Sequence, residues 1–367
     1  MPSGWRSLTS GCGPVTTSGS RPRRSTRTTR CGSSCTRTSW PRSAGTAARN
    51  GPGRPRSDRE RSWTTRTDGP AGGDVSARFG RVVTAMVTPF DERGELDLDA
   101  AAELADWLVA TGSDGLVLAG TTGEGPTMSD AEALALFRRV RDTVDVPLLA
   151  GTGSNATAHA VELTRMAAET GVDGILSVTP YYNRPSQAGI EAHFRAVAGA
   201  TDLPVVVYDI PVRTGRKVAT ETLVRLAREV PNVVGVKDAA GDPAETARLM
   251  SLVRSDFELY SGDDAATLPL IAVGAVGVIS VASHWVARQF GEMFDAAERG
   301  DLAAARRINA SLVPSFDFET GDEAPNPIPT KVLLGVLGLR VGACRPPMGP
   351  APDGLAARAR AVLDGLG

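Results

Sequence analysis

At 367 residues, 41% apolar and 22% charged, the chain has the hydrophobic content for one large α/β domain or two ordinary ones. Its net charge of −2 conceals a split, because residues 1–77 hold 14 arginines against four acids (+10) while the remainder holds 26 basic against 38 acidic residues (−12). No window approaches 18 consecutive apolar residues and no signal-peptide core is present, so we expect a soluble, cytoplasmic domain with no membrane and no nucleic-acid partner.

Residues 1–77 contain no Ile, Phe, Tyr or Lys and a single leucine, Leu8. Stretches such as "RPRRSTRTTRCGSSCTRTSWPRS" have neither a period of 2 nor one of 3.6. Such a segment buries too little apolar surface to offset chain entropy, and the expectation is a disordered tail. Its Arg- and hydroxyl-rich character resembles an organelle transit peptide, and a basic nucleic-acid arm is a second alternative. The preferred reading is an extension outside the working protein, as a misplaced start would give. Cys12, Cys31 and Cys35 lie in this tail and have no partner pair at zinc-ribbon spacing, so no metal site is expected.

From Arg81 onward, apolar β-branched runs alternate with helical patterns. The expected strands are 81–87, 115–119, 147–151, 174–178, 204–208, 233–237, 258–261 and 277–281. Between the first two, Ala101, Leu104, Ala105 and Leu108 recur at helical spacing, with Gly112 where a C-terminal cap belongs. In 187–199, Ile190, Phe194 and Val197 do the same behind a Ser186 cap. Uninterrupted apolar strands predict a parallel sheet covered on both faces. Eight βα units predict a (β/α)8 TIM barrel over 78–300, followed by a helical extension over 301–367. An open dinucleotide-binding sheet would need a glycine fingerprint after the first strand, and "TPFDERGE" is not one.

Barrel chemistry sits at the C-terminal ends of the strands. Those ends collect Gly120-Thr121-Thr122, Thr179-Pro180-Tyr181-Tyr182-Asn183, Tyr208 with Arg213 beyond it, Lys237, and Ser261-Gly262-Asp263-Asp264. All four tyrosines lie in this set or beside it. Lys237 stands out because the chain has 37 arginines and only three lysines, 217, 237 and 331. A primary amine forms a Schiff base with a ketone once burial lowers its pKa from about 10.4 toward 7, roughly 4–5 kcal/mol of differential destabilisation of the cation. Arginine neither deprotonates nor condenses. On residue type alone, a lysine snorkelling toward Asp238 stands equally open, and a phosphate-site lysine is a lesser alternative. Tyr208, Thr121 and Tyr182 have the hydroxyls for a proton relay across three strands. Three histidines, His159, His193 and His284, without HxH or HExxH spacing disfavour metal-dependent carbonyl chemistry, and no GxSxG elbow is present.

Read in order, "GTTGEGPT", "AGTGSNAT", "VTPYYNRPSQ", "YDIPVRTG", "VGVKDA", "YSGDDA", "GVISV" and "PNPIPTK" resemble the dihydrodipicolinate synthase / N-acetylneuraminate lyase family over about residues 80–365. The resemblance implies a class I aldolase without cofactor, working through a covalent imine of Lys237 with pyruvate. It implies Tyr208, Thr121 and Tyr182 as the relay and Thr122 as the holder of the pyruvate carboxylate, with Gly262 and Ile279 lining the pocket. Arg213 matches the arginine that binds the carboxylate of aspartate 4-semialdehyde. That favours condensation of pyruvate with this aldehyde over a sugar-acid aldolase or sialate lyase, and the intact Lys237, Tyr208 and Thr121 argue against a catalytically silent binding barrel. Asn155 and Tyr181 match effector positions, whereas Asp130 and His159 stand where lysine-sensitive members often carry His and Glu, so weak or absent lysine inhibition is expected. Asp209 replaces a common Asn beside the relay tyrosine. The family further implies a homotetramer, a dimer of dimers, in which Tyr182 reaches into the neighbouring subunit's site.

Overall fold

A computed structural model describes residues 77–366. The Arg-rich stretch read as a tail therefore lies outside the described residues, Ala77 excepted. Eight strands form a closed, all-parallel barrel in sequence order: β1 Val82–Ala85, β2 Gly115–Leu118, β3 Leu148–Gly151, β4 Gly174–Val178, β5 Val205–Asp209, β6 Val233–Asp238, β7 Glu258–Ser261 and β8 Ala275–Ser280. β8 closes on β1 with Val82 opposite Val278 and Thr84 opposite Ser280. Successive side chains alternate between the two faces. One set, including Val83, Val117, Leu149, Leu176, Val206, Tyr208, Tyr260 and Ile279, fills the barrel interior. The other packs outward against the helices.

The helices in order are α1 Leu98–Ala110, α2 Asp130–Arg141, α3 Thr157–Ala168, α4 Gln187–Ala198, α5 Pro211–Thr214, α6 Thr220–Glu229, α7 Pro243–Met250, α8 Thr267–Ile271 and α9 Ser283–Glu298. Beyond the barrel come α10 Leu302–Phe318, α11 Ile328–Val336 and α12 Leu355–Asp364. Several begin where local chemistry dictates. Asp97 caps α1 by accepting from Ala100 N, and Ser129 with Glu132 forms a capping box on α2. Ser186 caps α4 as expected. Gly112 follows the end of α1 with φ +121°, a conformation that its missing Cβ permits.

Two strand ends differ from expectation by two residues, the others by at most one. β1 stops at Ala85 because the Val87 N–H turns out of the ladder and donates to His284 Nε2 at 3.1 Å. β8 begins at Ala275, ahead of its β-branched run, because a register shift between Leu259 and Tyr260 lets Ala275 pair with Leu259. Among the described residues, no helix is long and apolar enough to cross a membrane.

The C-terminal helices are not a separate layer. α10 packs along α9, while α11 and α12 share an apolar cluster with Phe318 at the end of α10. Their segment also reaches the β2 loop. Lys331 Nζ lies 2.7 Å from Glu124 Oε1, with both side chains 2% exposed. The Arg345 N–H donates to Glu124 Oε2 at 2.8 Å, and Asn326 Nδ2 donates to Thr122 Oγ1 at 3.0 Å. Phe90 underlies this clamp, with the Lys331 and Arg345 cations 4.4 and 4.1 Å from its ring centroid.

Candidate active site

Lys237 is buried near the end of β6, in register with Tyr208 on β5 and Tyr260 on β7. Its Nζ lies 4.3 Å from the Tyr208 ring centroid. Among the described residues no carboxylate oxygen comes within 4 Å of it in an ion pair, so the snorkelling alternative does not hold. Asp238, its chain neighbour, points to the opposite face as strand alternation requires. There its carboxylate accepts from Ala240 N at 2.8 Å and Thr246 Oγ1 at 2.5 Å. Burial pushes the Lys237 amine down to about 8; Asp264 and Glu319 oppose that shift, and the Arg213 charge adds to it. At pH 8 about half of such an amine is free, against roughly 0.4% of an unperturbed lysine.

Tyr208 is buried, and that burial pushes its phenol up to about 12, with the Arg213 charge and a hydrogen bond with Thr121 pulling the other way. The phenol therefore stays protonated at neutral pH. Thr121 sits on the left-handed turn that begins at Ala119 (φ +51°), and Thr122 behind it is held by Asn326. Arg213, on the short helix α5, is exposed at the rim and makes no ion pair among the described residues. Gly262 must be glycine, since a Cβ there would lie 2.8 Å from Lys237 Cγ. Its N–H donates to Asp238 O, and Ile279 is buried in the interior layer.

A cleft of about 480 Å3 has Thr121, Tyr208 and Arg213 in its wall, whereas Lys237, Thr122, Gly262 and Ile279 are not among its lining residues. The four expected effector residues line the same cleft. His159 is bridged there, Nε2 to Asp130 Oδ1 at 2.8 Å and Nδ1 to Ser154 Oγ at 3.1 Å.

Two tyrosines lie elsewhere. Tyr182 does not converge with Tyr208 and Thr121 within one chain; at φ +67° it is 88% exposed. Tyr260 is core rather than site, its hydroxyl accepting the Phe79 N–H at 3.2 Å deep in the barrel. Asp209 also faces away from the relay. It accepts from Val218 N at 3.1 Å and lies 3.6 Å from Lys217 Nζ, and burial pushes its carboxyl up to about 6. His193 and His284 have packing roles, burial holding each near 4. Reading strand ends alone missed Glu124, Asn326, Lys331 and Glu319. Lys331 carried a signal, being the third lysine of an arginine-rich chain.

The family model described as the dihydrodipicolinate synthetase family matches residues 78–364. The chain is 53% identical over 280 residues to the 4-hydroxy-tetrahydrodipicolinate synthase of Parasynechococcus marenigrum, covering 75% of this chain and 91% of that one. It is 46% identical over 277 residues to the Bacillus subtilis protein of the same name, covering 75% and 95%. Among solved structures, the dihydrodipicolinate synthase of Cyanidioschyzon merolae with lysine bound superposes with a TM-score of 0.76 at 42% identity, covering 78% of this chain and 98% of that one.

Proposed function

The chain belongs to the dihydrodipicolinate synthetase family, and from that premise we propose how the mouth of its barrel carries out the reaction. The chain is a lyase that condenses pyruvate with L-aspartate 4-semialdehyde to 4-hydroxy-tetrahydrodipicolinate, in diaminopimelate and lysine biosynthesis. The observation that carries the reading of its residues is the buried Lys237 amine, free of any paired acid among the described residues, against the Tyr208 ring.

In this reading the free amine attacks the pyruvate ketone carbon, and loss of water leaves an imine on Lys237. A proton leaves the pyruvate methyl group to give an enamine, whose carbon then attacks the aldehyde carbon of the second substrate. The amino group of that substrate displaces Lys237 as the ring closes, returning the lysine unchanged. No cofactor enters beyond the imine. Tyr208 shuttles protons through Thr121 as a neutral hydroxyl, its high pKa disfavouring a phenolate. Thr122 holds the pyruvate carboxylate, while Gly262 and Ile279 leave room for its methyl end. The unpaired Arg213 fork takes the carboxylate of the aldehyde substrate. Sodium borohydride with pyruvate should fix a pyruvyl group on the protein, and peptide mass spectrometry should find it on Lys237; a label on another residue would overturn the assignment.

Arg213→Ala should reduce kcat/KM for aspartate semialdehyde by about 10- to 100-fold while the pyruvate adduct still forms. An unchanged rate in an assay coupled to a dihydrodipicolinate reductase would remove Arg213 from aldehyde binding. The Asp130, Asn155, His159 and Tyr181 wall is read as the effector site. Because His159 and Asp130 satisfy each other there, sub-millimolar lysine should leave the rate unaltered; half-inhibition in that range would refute this.

The same reading places the enzyme in the cytoplasm as a homotetramer built from tight dimers. Supporting the dimer, Tyr182 and Val212 are exposed large apolar side chains (88% and 86%) of the kind a partner covers. Tyr182 would then complete the relay of the neighbouring subunit.

A further inference from the structure

One pair of buried acids takes no part in the steps above. Asp264, in the loop after β7, is 2% exposed, and its Oδ2 accepts the N–H groups of Val281 and Ala282 at 3.0 and 2.7 Å. Glu319, which ends α10, is partly exposed as a residue, but its carboxyl end is buried against Asp264. Asp264 Oδ1 and Glu319 Oε2 are buried and have no protein donor among the described residues. Two facing carboxyls in a dry site cannot both ionise at ordinary cost; a shared proton makes one of them the donor that both lack. The proton belongs on Glu319. Asp264 Oδ2 already accepts two backbone N–H groups, whereas burial and the Asp264 charge push the Glu319 carboxyl well above its ordinary range.

The charged and titratable groups around this pair are few. Lys237 on β6 feels the charges of both acids and Tyr208 on β5 that of Asp264, while the Arg213 charge on α5 reaches the same lysine and tyrosine. Asp263 is exposed, its Oδ1 capping Ala265 N, and His284 on α9 is buried and neutral. Lys237 thus feels one cation, Arg213, and whatever charge Asp264 and Glu319 carry together.

We propose that Asp264 and Glu319 hold one proton between them and act as positioning residues, presenting a single negative charge to Lys237 and thereby setting the pH above which its amine attacks pyruvate. A pair with two negative charges would keep the amine protonated at neutral pH. A neutral pair would leave Arg213 unopposed and weaken the pyruvate imine, which is cationic when protonated. The proposal rests on Lys237 as the imine-forming residue.

The test follows the rate of the borohydride-trappable pyruvate adduct against pH in the full chain. Glu319→Gln replaces a neutral donor with another and should leave the acidic limb within about 0.3 pH of the parent. Asp264→Asn/Glu319→Gln removes the remaining charge and should move that limb about one pH unit lower. The proposal is overturned if Glu319→Gln alone moves the limb as far as the double variant, or if the double variant does not move it. Should the double variant fail to fold, infrared difference spectra between the parent and Glu319→Gln decide. At pH 7 the parent should carry a protonated-carboxyl carbonyl band that Glu319→Gln lacks, and its absence from the parent overturns the proposal. Mapping the adduct separates this from the underlying reading, since a pyruvyl group away from Lys237 would sink that reading whatever the limb does.

Discussion

Lys237→Met should abolish turnover and, at the same time, make the protein more stable. Loss of the Lys237 amine removes the covalent route, and kcat should fall by on the order of 10⁴-fold or more. The stability change has the opposite sign. The folded-state pKa of about 8 lies below the unfolded value of 10.5, so the charged form is the one that folding disfavours. That penalty is complete below about pH 8 and disappears as pH rises past the unfolded pKa. At pH 7 it is on the order of 3 kcal/mol, and methionine, of similar length and without charge, is free of it. Thermal unfolding at pH 7 and pH 10 would check the sign, with the gain in Tm larger at pH 7. A variant that keeps measurable turnover would refute the imine, and one that melts lower at pH 7 would refute the account of burial.

Tyr208→Phe should lower kcat by about 10²- to 10³-fold with little change in fold, because it removes one hydroxyl from a site that keeps its amine. Borohydride should still trap pyruvate on Lys237, more slowly, since the proposed relay uses this hydroxyl both in imine formation and in the later proton transfers. Steady-state kinetics beside the trapping rate would resolve the two. A kcat within threefold of the parent would move the relay to another group.

The barrel was legible because each strand is buried on both faces and so reads as a continuous apolar run, as "PVVVY" and "VVGVK" do. Strand ends were less legible, because tertiary partners fix them. Nothing near Val87 in the sequence announces that its N–H will meet His284, 197 positions on. The placement of Lys237, Tyr208, Thr121 and Arg213 around the barrel mouth could be read because each lies at or just beyond a strand end, where the fold makes polar residues informative. Tyr182 marks the limit of that logic, since membership of the same loop as Tyr181 did not decide which way its side chain points. Asp209 was misplaced for a simpler reason, sequence adjacency to Tyr208, which on a strand means opposite faces. Glu319 and Glu124 gave no local signal, their roles being defined wholly by residues far away in the chain.

The clamp between the β2 loop and the C-terminal segment bears on the order in which the protein is made. Thr122 and Glu124 precede Asn326, Lys331 and Arg345, which hold them, by more than 200 positions. All eight strands have been translated by Ser280, before any of these three exists. A nascent barrel at that stage has Lys237 and Tyr208 in place, yet an unpaired Glu124 beneath the threonine loop. On the proposed reading of the site, the enzyme is catalytically whole only once α11 and the Arg345 segment have docked. Ribosome-bound chains halted near residue 320 should trap pyruvate poorly compared with released protein.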